Sequence, residues 1–450
     1  MEKIESKNQL IDFISSGEKI IKNFKIGTEH EKFAFKLKDK KPVFYEEEGG
    51  ISDLLLKLVD FGWDPIYENN NIIALSRANE IGGGSITLEP AGQFELSGAM
   101  LNTIHETHDE LLNHKNQISK ITKHIGIDFL ALGFAANWSR EDMPNMPKSR
   151  YKVMRNYMPK VGNHGLDMML RSSTAQVNLD YSDEKDMIKK FRLSFLLQPI
   201  ATALFANSPF NDGSLNGYKS IRSEYWKDTD QDRTGILSFV FDDNMSYEKY
   251  VDYALDVPMY FINRNGKYID LAGKSFRDFM DKKIDSVKNY DATIDDWELH
   301  LTTIFPEARL KNYIEMRGAD AGNIDHICAI SAYWVGLIYD NQALSDALEL
   351  TKNISVEELI ELRNKVPKEG LNCSVGKNNV YKLAIDSINL SKEGLKRRNK
   401  LNKKECDESI YLQYLEDIVI NNESPADKLI REFNNDWDKN VMKVFENCLF

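Results

Sequence analysis

Four stretches of this chain place polar residues two apart, so that in a β-strand they share one face while apolar residues fill the other. In 26-IGTEHEKFAF-35 they are Glu29 and Glu31, and in 93-QFELS-97 they are Gln93 and Glu95. In 176-QVN-178 they are Gln176 and Asn178, and in 315-EMR-317 Glu315 and Arg317. Strand side chains alternate between faces, which sets each pair about 7 Å apart. The first stretch constrains the fold most, because Phe33 and Phe35 fall on the face of its two glutamates. At an effective dielectric of about 20 such carboxylates repel by roughly 2 kcal/mol. The fold must therefore set something positive between them.

An amphipathic sheet with one wet face accounts for any one of these strands alone. A wet face normally mixes Lys, Thr and Ser, whereas these carry Glu, Gln, Asn and Arg, and Glu is a poor strand former. Because four strands agree, we read a sheet that gathers Glu29, Glu31, Glu95 and Glu315 into an oxygen-ligand cluster. Glu89 is a further candidate, although Pro90 and Gly92 interrupt its strand. Such ligands suit hard cations, Mg²⁺ first and Mn²⁺ as the alternative. Ions held that way make a site for nucleotide phosphates.

With 450 residues, 42% hydrophobic and 28% charged, the chain can bury a sizeable core. Its formal net charge of −12 argues against a nucleic-acid partner. Cys328, Cys373, Cys406 and Cys448 form no CxxC pair, which points to a reducing compartment without a disulfide scaffold. The N-terminus lacks the apolar run of a signal peptide. The longest apolar stretches, 193–206 and 327–339, are too short to span a bilayer. The expectation is a cytoplasmic protein with no membrane partner.

Helical periodicity predicts helices over 5–24, 51–62 (ending at Gly62), 98–124 and 183–207, and almost throughout beyond 325. Strands are predicted at NNIIALSR and ITLEPAGQFELS around a turn at Gly82–Gly84, and at 128–137, 173–181, 258–264 and 312–317. The loop 208–235 is longer than most connections and reads as functional. The result is an α+β catalytic body over 1–345 with a helical part over 346–450 packed on it as one unit. No GxxxxGK[ST] phosphate loop is present, and 105-HETH-108 falls one residue short of a zinc motif.

The strings GTEHEKF, LEPAGQFELSGA, RYKVMRNYMPKVG, STAQVNLD, PIATALFANSPFNDG, DRTG, VDYALDVPMYF, SFRDFM, DDWELHLTTIFPEARLKNYIEMRGADAG and AYWVGLIYD resemble the glutamate–cysteine ligase family. The likeness is to its plant-type branch, found in plants and some bacteria, and spans residues 20–345. The resemblance implies a glutamine-synthetase-like fold, a curved antiparallel sheet forming a funnel surrounded by helices. It implies ATP-dependent joining of L-glutamate to L-cysteine through γ-glutamyl phosphate, the first step of glutathione synthesis, by a monomer or homodimer. Glu29, Glu31, Glu95 and Glu315 match the family's metal-binding glutamates, with Gln176 as an additional candidate. Arg317, beside Glu315, is placed to neutralise the transferring phosphoryl group. Arg171 and Arg233 are candidates for holding substrate carboxylates, and Thr174 and Asn178 of the STAQVNLD string are further substrate-binding candidates. Ser173 stands where plant members carry a cysteine, so their disulfide control is not expected here. Three rivals stay open: a ligase with another amine acceptor, a metal-dependent hydrolase, and a binding protein that kept the fold.

Overall fold

A computed structural model describes residues 2–79 and 82–450. Its centre is an eight-stranded antiparallel sheet. In chain order the strands are β1 (Ile26–His30), β2 (Phe33–Lys36), β3 (Asp64–Glu68), β4 (Asn71–Ser76), β5 (Ser85–Leu88) and β6 (Phe94–Ser97). They continue as β7 (Ile127–Leu130), β8 (Thr174–Leu179), β9 (Ala308–Leu310) and β10 (Ile314–Asp320). The large sheet runs β9-β10-β8-β1-β6-β5-β4-β3, and β2 pairs with β7 in a separate ribbon.

That division corrects the reading of the opening stretch. β1 ends at His30, and the chain leaves the large sheet through Glu31, whose N–H donates to the Thr174 carbonyl at 2.9 Å, and Lys32, whose carbonyl accepts from Phe94 N–H at 2.8 Å. Glu29 and Glu31 stay with the large sheet. Phe33 and Phe35 pack instead on Trp138 and Phe445. Because the strand breaks between the two pairs, the glutamates never share a face with the phenylalanines.

The main helices are α1 (Lys7–Ser15), α2 (Ile51–Leu58), α3 (Ile104–Ile125), α4 (Ser149–Tyr157), α5 (Gly165–Arg171), α6 (Glu184–Leu204), α7 (Ile221–Trp226) and α8 (Ile324–Ile338). Gly62, at φ 82°, ends the turn that follows α2. α3 begins six residues later than predicted, because Thr103 accepts from Glu106 N–H as a capping box. The predicted strand over 128–137 stops at Leu130, and the predicted loop 208–235 contains α7.

One face of the sheet is apolar. Ala175, Val177 and Leu179 of β8 are fully buried. α8 packs on β8 and β1, and α6 on β10 and β9. Thr28 of β1 meets Ser331 of α8 at 3.0 Å. The later helices, including Asn341–Thr351 and Val380–Arg398, pack on α8 and on one another. No helix among the described residues is long and apolar enough to cross a membrane.

Candidate active site

The register of the sheet lines up the polar pairs. Glu29 of β1 lies opposite Gln176 of β8 on one side and Ser97 of β6 on the other. Glu95 faces Thr87, and Glu315 of β10 faces both Asn178 and Arg309. The pairing of β10 with β8 then shifts between Met316 and Ala319, a bulge that re-aims Arg317. Gly318 fits there because a Cβ would lie 1.8 Å from Gln198 Nε2.

This polar face floors a chamber of about 350 Å³. It is lined by Glu29, Glu31, Glu89, Glu95 and Gln176, by Arg309, Lys311 and Arg317, and by Lys148 and Arg150 at the start of α4. It narrows into a throat of about 80 Å³ walled by Met154, Met168 and Met169, where Thr174, Arg222 and Arg317 also face the space. Past Glu29 and Ser97 the chamber meets a second one of about 400 Å³, lined by Lys19, Lys25, Arg77 and Tyr313.

The acids are held in different states. Burial, then repulsion from Glu315 and Glu95, pushes the Glu29 carboxyl up to about 7. Burial, then Glu89 and Glu95, pushes Glu31 well above the carboxylate range. Glu95 is raised by burial and Glu89, although Thr87 Oγ1 at 2.5 Å and Ser97 Oγ at 3.0 Å donate to it. Asn178 Nδ2 donates to Glu29 at 2.7 Å and Thr174 N–H to Glu31 at 3.1 Å. Thr174 and Asn178 thus hold the two glutamates of the opening stretch.

Glu315, expected as a metal ligand, stands among cations of the chain. It is fully buried beneath the chamber wall, where Arg309 Nη2 meets it at 2.7 Å, Lys311 Nζ at 3.4 Å, and Arg317 directly. Burial alone would raise its pKa, but Arg309, Arg317 and Lys311 outweigh it and hold the carboxyl far below the usual range. Its lone pairs are spent on cations. Arg317, braced by Glu315 and by Gln176 Oε1 at 3.0 Å, lines both the chamber and the throat.

Arg171 and Arg233 also differ from the substrate-clamp reading. Arg171 is buried against Asp167 at 3.4 Å, Asp212 at 2.7 Å and Asn211. Arg233 has no exposed surface, pairs with Asp230 at 2.5 Å, and donates to the carbonyls of Thr303 at 3.0 Å and Pro258 at 2.8 Å. Each satisfies a carboxylate of the chain itself, which a sequence does not distinguish from a carboxylate of a substrate. Arg233→Met is expected to lower stability by about 3–5 kcal/mol in urea unfolding, by leaving Asp230 charged and buried. Its Michaelis constants should stay within about twofold of wild type.

Sequence reasoning missed Arg309, Lys311, Lys148, Arg150 and Arg222. The first two carried a usable signal, since 309-RLK-311 repeats the two-apart polar pattern. Lys148, Arg150 and Arg222 lie outside the strands and reach the chamber and throat through tertiary packing alone.

For a metal, the donor chemistry fits: buried carboxylates raised by one another are relieved by a hard cation. Among the described residues, however, no group of three or more His, Cys, Asp or Glu side chains is arranged to hold one.

A chamber with an acidic floor and arginine walls, on an antiparallel sheet backed by helices, defines a site for highly charged substrates. The family model for glutamate-cysteine ligase family 2 matches residues 25–447. The chain is 48% identical over 446 residues, 99% of its length, to the chloroplastic glutamate–cysteine ligase of Nicotiana tabacum, covering 83% of that protein. It is equally identical to glutamate–cysteine ligase B of Oryza sativa subsp. japonica, covering 87% of it. The chain belongs to the glutamate–cysteine ligase family. Its fold is that of a solved glutamate–cysteine ligase from Francisella tularensis in complex with AMP, with a TM-score of 0.58 over 96% of this chain and 89% of that one at 15% identity.

The relatives overturn the cytoplasmic expectation. The enzymes from tobacco, rice, Medicago truncatula and Arabidopsis thaliana are all named chloroplastic. The residues of the fold carry no information on this point, because an organelle address is a separate segment from the catalytic fold.

Proposed function

We propose that the chain joins the γ-carboxylate of L-glutamate to the amine of L-cysteine at the expense of ATP, giving γ-glutamylcysteine, ADP and phosphate, the first step of glutathione biosynthesis. The observation that carries this is the near full-length identity to enzymes named for the reaction. The acidic chamber, with a smaller arginine-lined throat of about 80 Å³ beside it, supports it.

Glu29, Glu31, Glu89 and Glu95 are the residues that would hold Mg²⁺, which when bound supplies charge that neutralises the nucleotide phosphates. Arg222 is buried with its Nε unpartnered and faces the throat, where it would hold a substrate carboxylate. Arg317 stands where chamber and throat meet, so it would take up charge on the phosphoryl group as the γ-carboxylate oxygen attacks phosphorus and ADP departs. The methionine walls of the throat keep water from the acyl phosphate. Attack of the cysteine amine on the acyl carbon then forms the amide and expels phosphate.

The test is phosphate release by purified protein with Mg²⁺, ATP and glutamate, with and without cysteine, and product identification by mass spectrometry. Release that depends on cysteine and yields γ-glutamylcysteine is expected. Turnover with a different amine but not cysteine would overturn the named acceptor. No nucleotide turnover from folded protein would overturn the ligase reading.

A further inference from the structure

The cations around the chamber differ in what they are already doing. Arg309, Lys311 and Arg317 share the Glu315 carboxylate. Lys148 and Arg150, by contrast, form no ion pair among the described residues. Lys148 Nζ donates to the Leu88 carbonyl at 2.9 Å. Arg150 offers five N–H donors, yet its one hydrogen bond is a long 3.4 Å contact from Nη2 to the Tyr151 hydroxyl, and its Nε is buried without a partner.

This free guanidinium sits on a firmly anchored turn. Met146 N–H donates to the Pro90 carbonyl at 3.2 Å. Ser149 N–H donates to Glu68 Oε1, at the end of β3, at 2.9 Å. The Tyr151 hydroxyl donates to the Leu88 carbonyl at 2.7 Å. Two segments, the 88–90 stretch and the end of β3, thus fix the start of α4, and the nearby acids Glu89 and Glu95 form no ion pair with either cation. A half-buried arginine without an ion pair has donors to spare for an anion, and a fixed backbone lowers the ordering cost of receiving one.

Size and charge select the anion. The throat has arginines of its own and a volume of only about 80 Å³, which suits the smaller substrates. Arg150 and Lys148 line the 350 Å³ chamber that holds the acidic cluster, larger than the throat of about 80 Å³, which suits the bulkier and more highly charged partner. Resting on the ligase reading, we propose that Arg150, with Lys148 beside it, binds the phosphates of the nucleotide. The planar guanidinium offers paired donors to phosphate oxygens, and the ammonium adds a point charge.

Arg150→Gln and Arg150→Lys test this in the full chain, with Michaelis constants measured separately for ATP, glutamate and cysteine. ATP binding is titrated calorimetrically with Mg²⁺ and without amino acids. Arg150→Gln is expected to raise the ATP constant and weaken ATP binding by about 10- to 100-fold, with both amino-acid constants within about twofold of wild type. Arg150→Lys, which keeps the charge and loses the fork, should fall between, and it gives the same reading if the glutamine variant does not fold. A rise confined to the glutamate or cysteine constant would overturn the proposal in favour of a carboxylate site. No change in any constant would make Arg150 a structural residue. Wild-type turnover in the same assay reports on the ligase reading separately, since the ATP titration needs no product.

Discussion

Glu315→Ala is expected to lower the stability of the substrate-free protein by about 3–5 kcal/mol and to abolish turnover. The side chain has no exposed surface and touches Arg309, Lys311 and Arg317 at once. Removing it leaves three cations crowded in a site with little water to screen them, and frees Arg317 from the position it needs beside the throat. Urea unfolding in EDTA separates this role from a metal-binding one, because a residue acting only as a ligand would leave the metal-free protein as stable as wild type. Glu315→Gln, which keeps an acceptor and loses the charge, should fall between. The pH dependence has a definite sign. The folded pKa is depressed below the usual 4.5, so the stabilisation from Glu315 is present above about pH 4.5 and is lost as the pH falls toward the depressed value.

Glu29→Gln should do the opposite to stability while also abolishing activity. Glu29 is raised to about 7 by burial and by Glu315 and Glu95, so its charged form strains the metal-free fold. Between about pH 4.5 and 7 the folded protein binds more protons at this site than the unfolded chain does, and stability falls as the pH rises. The glutamine variant removes that slope and, above pH 7 in EDTA, should be more stable than wild type by on the order of 2 kcal/mol. Added Mg²⁺ should raise the unfolding midpoint of wild type and do so less for the variant, because a ligand that binds only the folded state stabilises it by mass action. A variant less stable than wild type at every pH would show that Glu29 is structurally neutralised already. The contrast with Glu315 comes from their neighbours: one glutamate sits among acids and amides, the other among three cations.

Much of the site was legible because it rests on strand alternation. Glu29, Glu95, Gln176 and Asn178 can be placed on one face from their spacing, and the register then sets Glu29 between Gln176 and Ser97. The same rule misplaced Phe33 and Phe35, because alternation holds only while a strand lasts and this one ends at His30. Spacing also does not say what meets Glu315, since it gives the face of a side chain and not what stands opposite. Arg309 decides that point, and it comes from the neighbouring strand.

By itself the sequence determined the polar face of the central strands, the longest helices and the family, because these depend on local periodicity and on strings of residues in a matching order. The tertiary structure decided which charges meet. It buried Arg171 and Arg233 against acids of the chain, and it carried Lys148, Arg150 and Arg222 to the chamber and its throat from segments outside the sheet. The physical reason is that a charge is neutralised by whatever lies within a few ångströms of it, and packing brings together residues that are far apart along the chain.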